Sequence, residues 1–371
     1  MSEITWIEVD LNAIEHNLKK IKNRVGSETK ILAIVKADAY GHGAVKVCQT
    51  LEQNGTDMLG VAYPGEGIEL RKNSINTPIL ILNPVLSEQI EDVIQHSLTA
   101  TVSSLDMAHE ISITAKKSQR NVKVHVEIDT GMGGAGLCPD KALHLIKALL
   151  LIDNLEIEGV FTHFNSSDER DKSFTYEQNR KFKEVINQLE NNKIIIPLIH
   201  AANSAAILDI PDSRFNMVRP GLLLYGIFPS KHVSRNIDLK QAMSFKTRII
   251  NLKQLNPGSV IGYGRTYEIQ RQTTVGTIPV GYKDGFNRCF SSIANVLISG
   301  KRVPIIGRVC MDRCFIDVTN LSDVKIGSEV LLLGTQDTET ISIESAANLI
   351  GTIPYEIACN IGTKTQKKMY T

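Results

Sequence analysis

The sequence carries almost no net charge: 41 Lys and Arg stand against 40 Asp and Glu, a formal balance of +1. That balance gives the chain no electrostatic pull toward nucleic acid or an anionic membrane. Long apolar runs are missing as well. The longest, around Ala148 to Ile152, is far too short to cross a bilayer, so no membrane span is expected. The opening residues Met1-Ser2-Glu3-Ile4-Thr5-Trp6 lack the basic region and apolar stretch of an export signal. Cysteines are present but unpaired in pattern. Cys48, Cys138, Cys289, Cys310, Cys314 and Cys359 form no C-x-x-C pair and no regular framework. They read as free, mostly buried thiols in a cytoplasmic protein. Cys310 and Cys314 have no partnering His or Cys cluster, so no metal site is expected. Internal repeats and low-complexity linkers are also lacking.

What is present starts with Ile31-Leu32-Ala33-Ile34-Val35-Lys36, followed by Ala37-Asp38-Ala39-Tyr40-Gly41-His42-Gly43. The apolar run is short and rich in β-branched residues. It reads as a strand buried on both faces, the kind found in parallel sheets. Lys36 then stands at the strand's carboxyl end, the side on which α/β folds bind ligands. Partial desolvation there makes a neutral amine accessible near neutral pH. Such an amine can attack a carbonyl and form a Schiff base. A solvated lysine that merely ends a strand is the plainer alternative.

Strand-like and helix-like segments then alternate. Strand candidates cover residues 57–61, 78–82, 99–102, 122–128, 157–162, 194–199 and 215–218, with helical patterns at 65–71, 87–96, 140–151 and 175–191. With the Lys36 strand this makes eight βα units, which predicts a (β/α)8 barrel over an open doubly wound sheet. Before it, Trp6 to Asp10 reads as a strand running into a helix capped by Asp10. After about Ser230 alternating segments dominate, including a hairpin across Ser299-Gly300 and one helix from a Ser342 cap to Gly351. The expected division is a barrel over 1–235 and a mostly β domain over 236–371, with the first few residues packing on the second domain.

The later strand ends carry a chemically rich set. Thr162-His163-Phe164-Asn165, His200-Ala201-Ala202-Asn203-Ser204 and Val218-Arg219-Pro220-Gly221 follow the sixth, seventh and eighth strands. Barrel loops after strands seven and eight often hold a phosphate. Singly, His163 could be a satisfied core histidine, Ser204 a helix cap, and Arg219 half of an ion pair. On one rim with Lys36, they point to a phosphorylated aldehyde cofactor, and pyridoxal 5′-phosphate fits.

The Lys36 segment resembles the cofactor-lysine motif of alanine racemases. So do Val218-Arg219-Pro220-Gly221-Leu222-Leu223-Leu224-Tyr225-Gly226, Ile261-Gly262-Tyr263-Gly264, Val280-Gly281-Tyr282-Lys283-Asp284-Gly285, Gly307-Arg308-Val309-Cys310-Met311-Asp312 and Ile353-Pro354-Tyr355-Glu356. The resemblance covers essentially the whole chain, in order and spacing. It implies an α/β barrel plus a β domain working as a homodimer with shared active sites. Lys36 resembles the cofactor lysine and one of two acid/base catalysts. Tyr263, delivered from the partner subunit, resembles the other. Racemisation removes a proton from one face and returns one to the opposite face, so two opposed bases are the direct solution. A free tyrosine is a poor base, and such a site must surround it with positive charge. Arg219 resembles the arginine facing the pyridine nitrogen, where a persistent guanidinium weakens the electron sink and limits transamination, with His163 orienting it. Tyr40, Asn203, Ser204, Gly221, Leu222 and Tyr355 resemble the remaining cofactor contacts, chiefly to phosphate. Met311 would offer its amide to the substrate carboxylate, and Tyr282 would narrow the entrance.

One segment departs from the family. Alanine racemases usually follow the fifth strand with a lysine, often carbamylated, and then Asp-Thr-Gly-Met-Gly-Arg. Here Glu127 stands in the lysine position and Gly134 in the arginine position. That arginine assists substrate carboxylate binding in the family. Arg313 is the candidate replacement. A charge-assisted hydrogen bond of ~1.5–3 kcal/mol would otherwise be lost, about 10- to 100-fold in binding. The departure also motivates a racemase of serine or a broader amino-acid set as an alternative to alanine. A non-catalytic pyridoxal-phosphate carrier is a third reading, opposed by the second domain. A decarboxylase is a fourth, opposed by Arg219.

Overall fold

The computed structural model describes residues 4–365 and 368–371. Eight parallel strands close into a barrel: Lys30–Ile34, Met58–Val61, Ile79–Pro84, Thr99–Val102, Val122–Glu127, Leu155–Phe161, Leu198–His200 and Met217–Val218. Closure is made where Lys30 and Ile31 pair with Met217 and Val218. Each strand returns through helical structure, because parallel neighbours need a crossover. The expected helices are found within a few residues, for example Pro64–Lys72, Pro139–Leu149 and Ser173–Asn191. In the last of these, Phe182, Val185, Ile186 and Leu189 are buried on one face.

Trp6–Val9 does not join the barrel. It lies between Met243–Arg248, antiparallel, and Lys368–Tyr370, parallel. Asp10 then caps the helix Leu11–Val25 by accepting from the Ala13 amide at 3.0 Å. A smaller three-stranded sheet of Asn251–Leu255, Thr273–Ile278 and Cys314–Asp317 completes much of the β region. The hairpin Asn295–Ile298 with Lys301–Pro304 turns at Ser299 and Gly300.

Two readings need correction. The β region contains a second helix, Pro354–Lys364, besides Ile343–Ile350. Its proline sits in the first turn, where the missing N–H is harmless. Nor are the cysteines mostly buried: Cys48, Cys310 and Cys314 are, but Cys138 and Cys289 are exposed and Cys359 lies between. Among the described residues no helix is long and apolar enough to cross a membrane.

Candidate active site

Lys36 stands one residue beyond the first barrel strand, after Val35, and the backbone after it is unusual. Ala37, Asp38, Ala39 and Tyr40 all have φ near +53 or +54. A run of left-handed L-residues costs about 1–2 kcal/mol each, so surrounding contacts must impose it. Those contacts are specific. Glu66 accepts from the Ala37 amide through Oε1 and from the Ala62 amide through Oε2, both at 2.6 Å. Asp38 accepts from the Ala44 amide at 2.7 Å and pairs with Lys368. His42 stacks on Tyr225, with ring centroids 4.4 Å apart, and the Tyr225 hydroxyl donates to the Ile34 carbonyl at 2.8 Å. On the other side, Gly41 meets Gly362 of the helix Pro354–Lys364. A Cβ on Gly41 would stand 2.7 Å from both the Ala358 carbonyl oxygen and the Gly362 Cα. The second domain therefore buttresses the lysine turn backbone to backbone.

Burial pushes the Lys36 ammonium below its ordinary pKa; Glu66 pulls it back up, and the Arg219 charge adds to the lowering. Arg219 is 3% exposed. Its Nη1 donates to Nδ1 of His200 and to the His200 carbonyl, both at 3.0 Å. Its Nη2 donates to the carbonyls of Thr162 and Ala201, at 2.8 and 3.1 Å, and to Nδ1 of His163 at 3.0 Å. No carboxylate is among these partners. Burial lowers the guanidinium to about 10, with Glu127 opposing, so it stays charged at neutral pH. The same burial, with the Arg219 and Lys36 charges, drives His163 down to about 3. His163 is therefore neutral and accepts at Nδ1.

Ser204 opens the helix Ser204–Asp209 after the seventh strand. Its Oγ accepts from the Gly221 amide at 2.9 Å, and the Leu223 amide lies 3.5 Å away. Gly221 is followed by the buried turn Leu222–Tyr225. A Cβ on Gly221 would come within 2.8 Å of the Tyr40 hydroxyl. Tyr40 and Tyr355 approach with ring centroids 5.9 Å apart, and burial raises both phenols, which keep their protons and remain donors. Asn203 caps the helix by accepting from the Ala206 amide at 3.1 Å and takes a 2.8 Å bond from Ser167. Glu127, the last residue of the fifth strand, is half-buried near Arg219. Burial raises its carboxyl to about 7, Arg219 opposing and Asp129 adding. Gly134 is exposed in the following loop, where the Asp129 carboxylate gathers the amides of Gly131, Met132 and Gly133.

Lys36, Tyr40, His163, Ser204, Arg219, Gly221 and Tyr355 thus converge at the barrel mouth. Tyr263, Tyr282, Met311 and Arg313 form a second group on the β domain. Tyr263 is 72% exposed, Met311 57% and Tyr282 38%. Arg313 is held by its neighbour Asp312 through two bonds, at 3.1 and 3.2 Å. Among the described residues no hydrogen bond, ion pair or ring contact within one chain joins the two groups. Sequence reasoning missed Glu66 and His125, and gave His200 no role. A histidine within the apolar strand Val122–Glu127 was the available signal, since aliphatic side chains usually fill a barrel interior.

The family model for "Alanine racemase, N-terminal domain" matches residues 9–229, and that for "Alanine racemase, C-terminal domain" matches 242–369. The chain belongs to the alanine racemase family. It is 45% identical to an alanine racemase of Halothermothrix orenii over 98% of this chain and 96% of that one. Among solved structures it resembles the alanine racemase of Clostridium difficile 630, with a TM-score of 0.94 and 40% identity, covering 100% of this chain and 97% of that one. It also resembles the alanine racemase of Bartonella henselae with covalently bound pyridoxal phosphate, at a TM-score of 0.87 and 27% identity, with both chains fully covered. The family match spans the Lys36 barrel and the Tyr263 domain alike, which sets aside a carrier built on the barrel alone.

Proposed function

We propose that this member of the alanine racemase family uses pyridoxal 5′-phosphate to interconvert L- and D-alanine, with Lys36 and Tyr263 of the partner subunit as its two proton-transferring groups. The reading rests on one observation: a buried Arg219 that hydrogen-bonds no carboxylate and a partly desolvated Lys36 share a barrel mouth with a cluster of hydroxyl and amide groups. Serine or a broader substrate range is not favoured, because the full-length relatives are alanine racemases.

The residues fit the cofactor. The missing side chain of Gly221 leaves room beside the Tyr40 hydroxyl and Ser204 Oγ. This donor set contains no carboxylate and suits a phosphate dianion. Tyr355 and the Leu222 backbone stand beside it. Asn203 acts by fixing the helix that carries Ser204. Arg219 has both terminal nitrogens committed, which leaves its Nε–H for a ring nitrogen. Bound there, the cofactor supplies an electron sink that acidifies the substrate α-proton.

The chain does the rest. Lys36, its ammonium disfavoured by burial, presents the Nζ that holds the cofactor and accepts a proton. Tyr263 of the partner subunit holds the second proton on its phenolic oxygen, so the chain works as a homodimer. Met311 and Arg313 of the partner subunit bind the substrate carboxylate, and Tyr282 of the partner subunit excludes bulky side chains. His163 keeps Arg219 in place. The test is chiral chromatography of the cofactor-loaded protein incubated separately with L- and D-alanine. Both reactions should converge on an equal mixture, since enantiomers have equal free energy. A protein whose absorbance shows bound cofactor but which leaves L-alanine unchanged overturns the reading.

A further inference from the structure

Arg219 is one end of a chain of polar side chains that runs through the barrel. An arginine only donates, so Nδ1 of His200 carries a lone pair and its proton sits on Nε2. That Nε2 lies 2.8 Å from Nδ1 of His125, which must accept and so has its own proton on Nε2. Nε2 of His125 faces Oε2 of Glu158 at 3.5 Å. Both atoms are buried and neither has a hydrogen-bond partner among the described residues, so this 3.5 Å approach, too open for a hydrogen bond, is the one polar contact that relieves either. Oε1 of the same carboxylate accepts from Nζ of Lys123 at 2.6 Å, on the half-exposed end of the strand. Every N–H in the series thus points one way, from Arg219 toward Glu158.

The barrel is shaped for this series. A Cβ on Gly159 would come within 2.5 Å of Nδ1 of His125, so the strand Leu155–Phe161 is cut back where that ring lies. Phe161 stacks on His200, with centroids 5.0 Å apart and planes 8° from parallel. Both imidazoles are fully buried, and burial holds both below the ordinary histidine range and therefore neutral. Burial alone would raise Glu158, but His125 and Lys123 outweigh it and hold the carboxyl down at about 2. An apolar side chain could fill the same space, and an unpaired buried imidazole or carboxylate would be costly.

We propose that Glu158 and Lys123 are positioning residues for Arg219: acting through His125 and His200, they fix the lone pair presented to the guanidinium and thereby aim its free Nε–H at the cofactor ring. The proposal rests on the reading of Arg219 as the partner of the ring nitrogen. Lys123 supplies the direction. It requires an oxygen facing it, which leaves the other carboxylate oxygen for His125.

The test begins with histidine-selective ¹⁵N NMR of the apoprotein, where no cofactor contributes. Both His125 and His200 should carry their protons on Nε2; a proton on Nδ1 of either overturns the proposal without any variant. In Glu158→Gln, Lys123 takes the amide oxygen and turns the NH₂ toward His125. Both tautomers should then reverse, putting an N–H against the Arg219 donors. In the loaded enzyme kcat should fall about tenfold or more while KM moves less than about threefold. Adding Lys123→Met frees the amide to rotate, and should restore the Nε2 tautomers and most of the lost kcat. A purely structural role predicts the double variant to be no better than the single one, and that result, or unchanged tautomers in Glu158→Gln, refutes the proposal. Separately, Arg219→Ala with unaltered cofactor absorbance and turnover would overturn the underlying reading of Arg219, whatever the tautomers.

Discussion

Glu127 makes the folding of this chain pH-dependent in a direction opposite to most carboxylates. Its carboxyl is raised from 4.5 to about 7, by burial first, with Arg219 opposing and Asp129 adding. Below pH 4.5 it is protonated whether the chain is folded or not. Between 4.5 and 7 the folded chain keeps a proton that the unfolded chain has released. Stability from this group is therefore complete at acid pH and drains away as pH rises through 7. The full span corresponds to at most about 3.4 kcal/mol, and solvent contact at this half-buried group reduces it to about 1–3 kcal/mol. Glu127→Gln has the same shape and no proton to lose. Thermal melts of the two apoproteins from pH 5 to pH 8 isolate the effect, because other titrating groups cancel in the difference. The Gln variant should gain on the parent as pH rises, by about 1–4 °C in Tm at pH 8. A difference that stays flat, or a Gln variant that weakens as pH rises, would refute the reasoning and show Glu127 to be a favourable ionised partner of Arg219.

Three further outcomes are expected. Mixing Lys36→Ala with Tyr263→Phe, each inactive alone, and letting subunits exchange should restore on the order of a quarter of parental activity, because half the dimers carry one intact site; no recovery in confirmed heterodimers would place both groups in one chain. Arg313→Ala should raise KM for alanine about 10- to 100-fold with little change in kcat, and an unchanged KM would remove Arg313 as the carboxylate partner. Gly41→Ala should both destabilise the fold by about 2–5 kcal/mol in urea titration and loosen cofactor retention, since φ is +82 and the methyl meets the Ala358 carbonyl and Gly362.

The barrel was legible because its strands are short apolar runs at regular βα spacing, and each was found within a few residues. Lys36, Ser204 and Arg219 stood out because polar groups at strand ends have no packing role. The sequence was silent on what joins distant segments. The left-handed turn at Ala37 to Tyr40 is imposed by Glu66, Asp38, Tyr225 and Gly362, so no local propensity announces it. The helix Pro354–Lys364 escaped because it follows Gly351 and Pro354 closely, a pattern that reads as an ending. His125 was out of place in an apolar strand, but its partners, like those of Glu158, lie tens of residues away and could not be read from the sequence.

The strain at the two tyrosine-bearing turns bears on the proposal that the site is divided between chains. Lys36 is fixed by a costly backbone braced from both domains of its own chain, so its position is settled before any partner arrives. Tyr263 is likewise held on constrained backbone: Gly262 and Gly264 have φ of +72 and +74, and Arg265, a non-glycine, has +51. Yet that turn points its phenol outward, at 72% exposure. Constrained backbone under an aromatic side chain that is 72% exposed gains little for a lone surface residue, because most of the ring is left to solvent. It makes sense where a second surface completes the environment and the ring must arrive pre-oriented. The exposed Met311 and Tyr282 lie in the same group, so one docking event would deliver the base, the carboxylate contact and the entrance wall together. On that proposal a single chain would hold the cofactor pocket but not the second proton, and turnover should appear only at protein concentrations where the dimer forms.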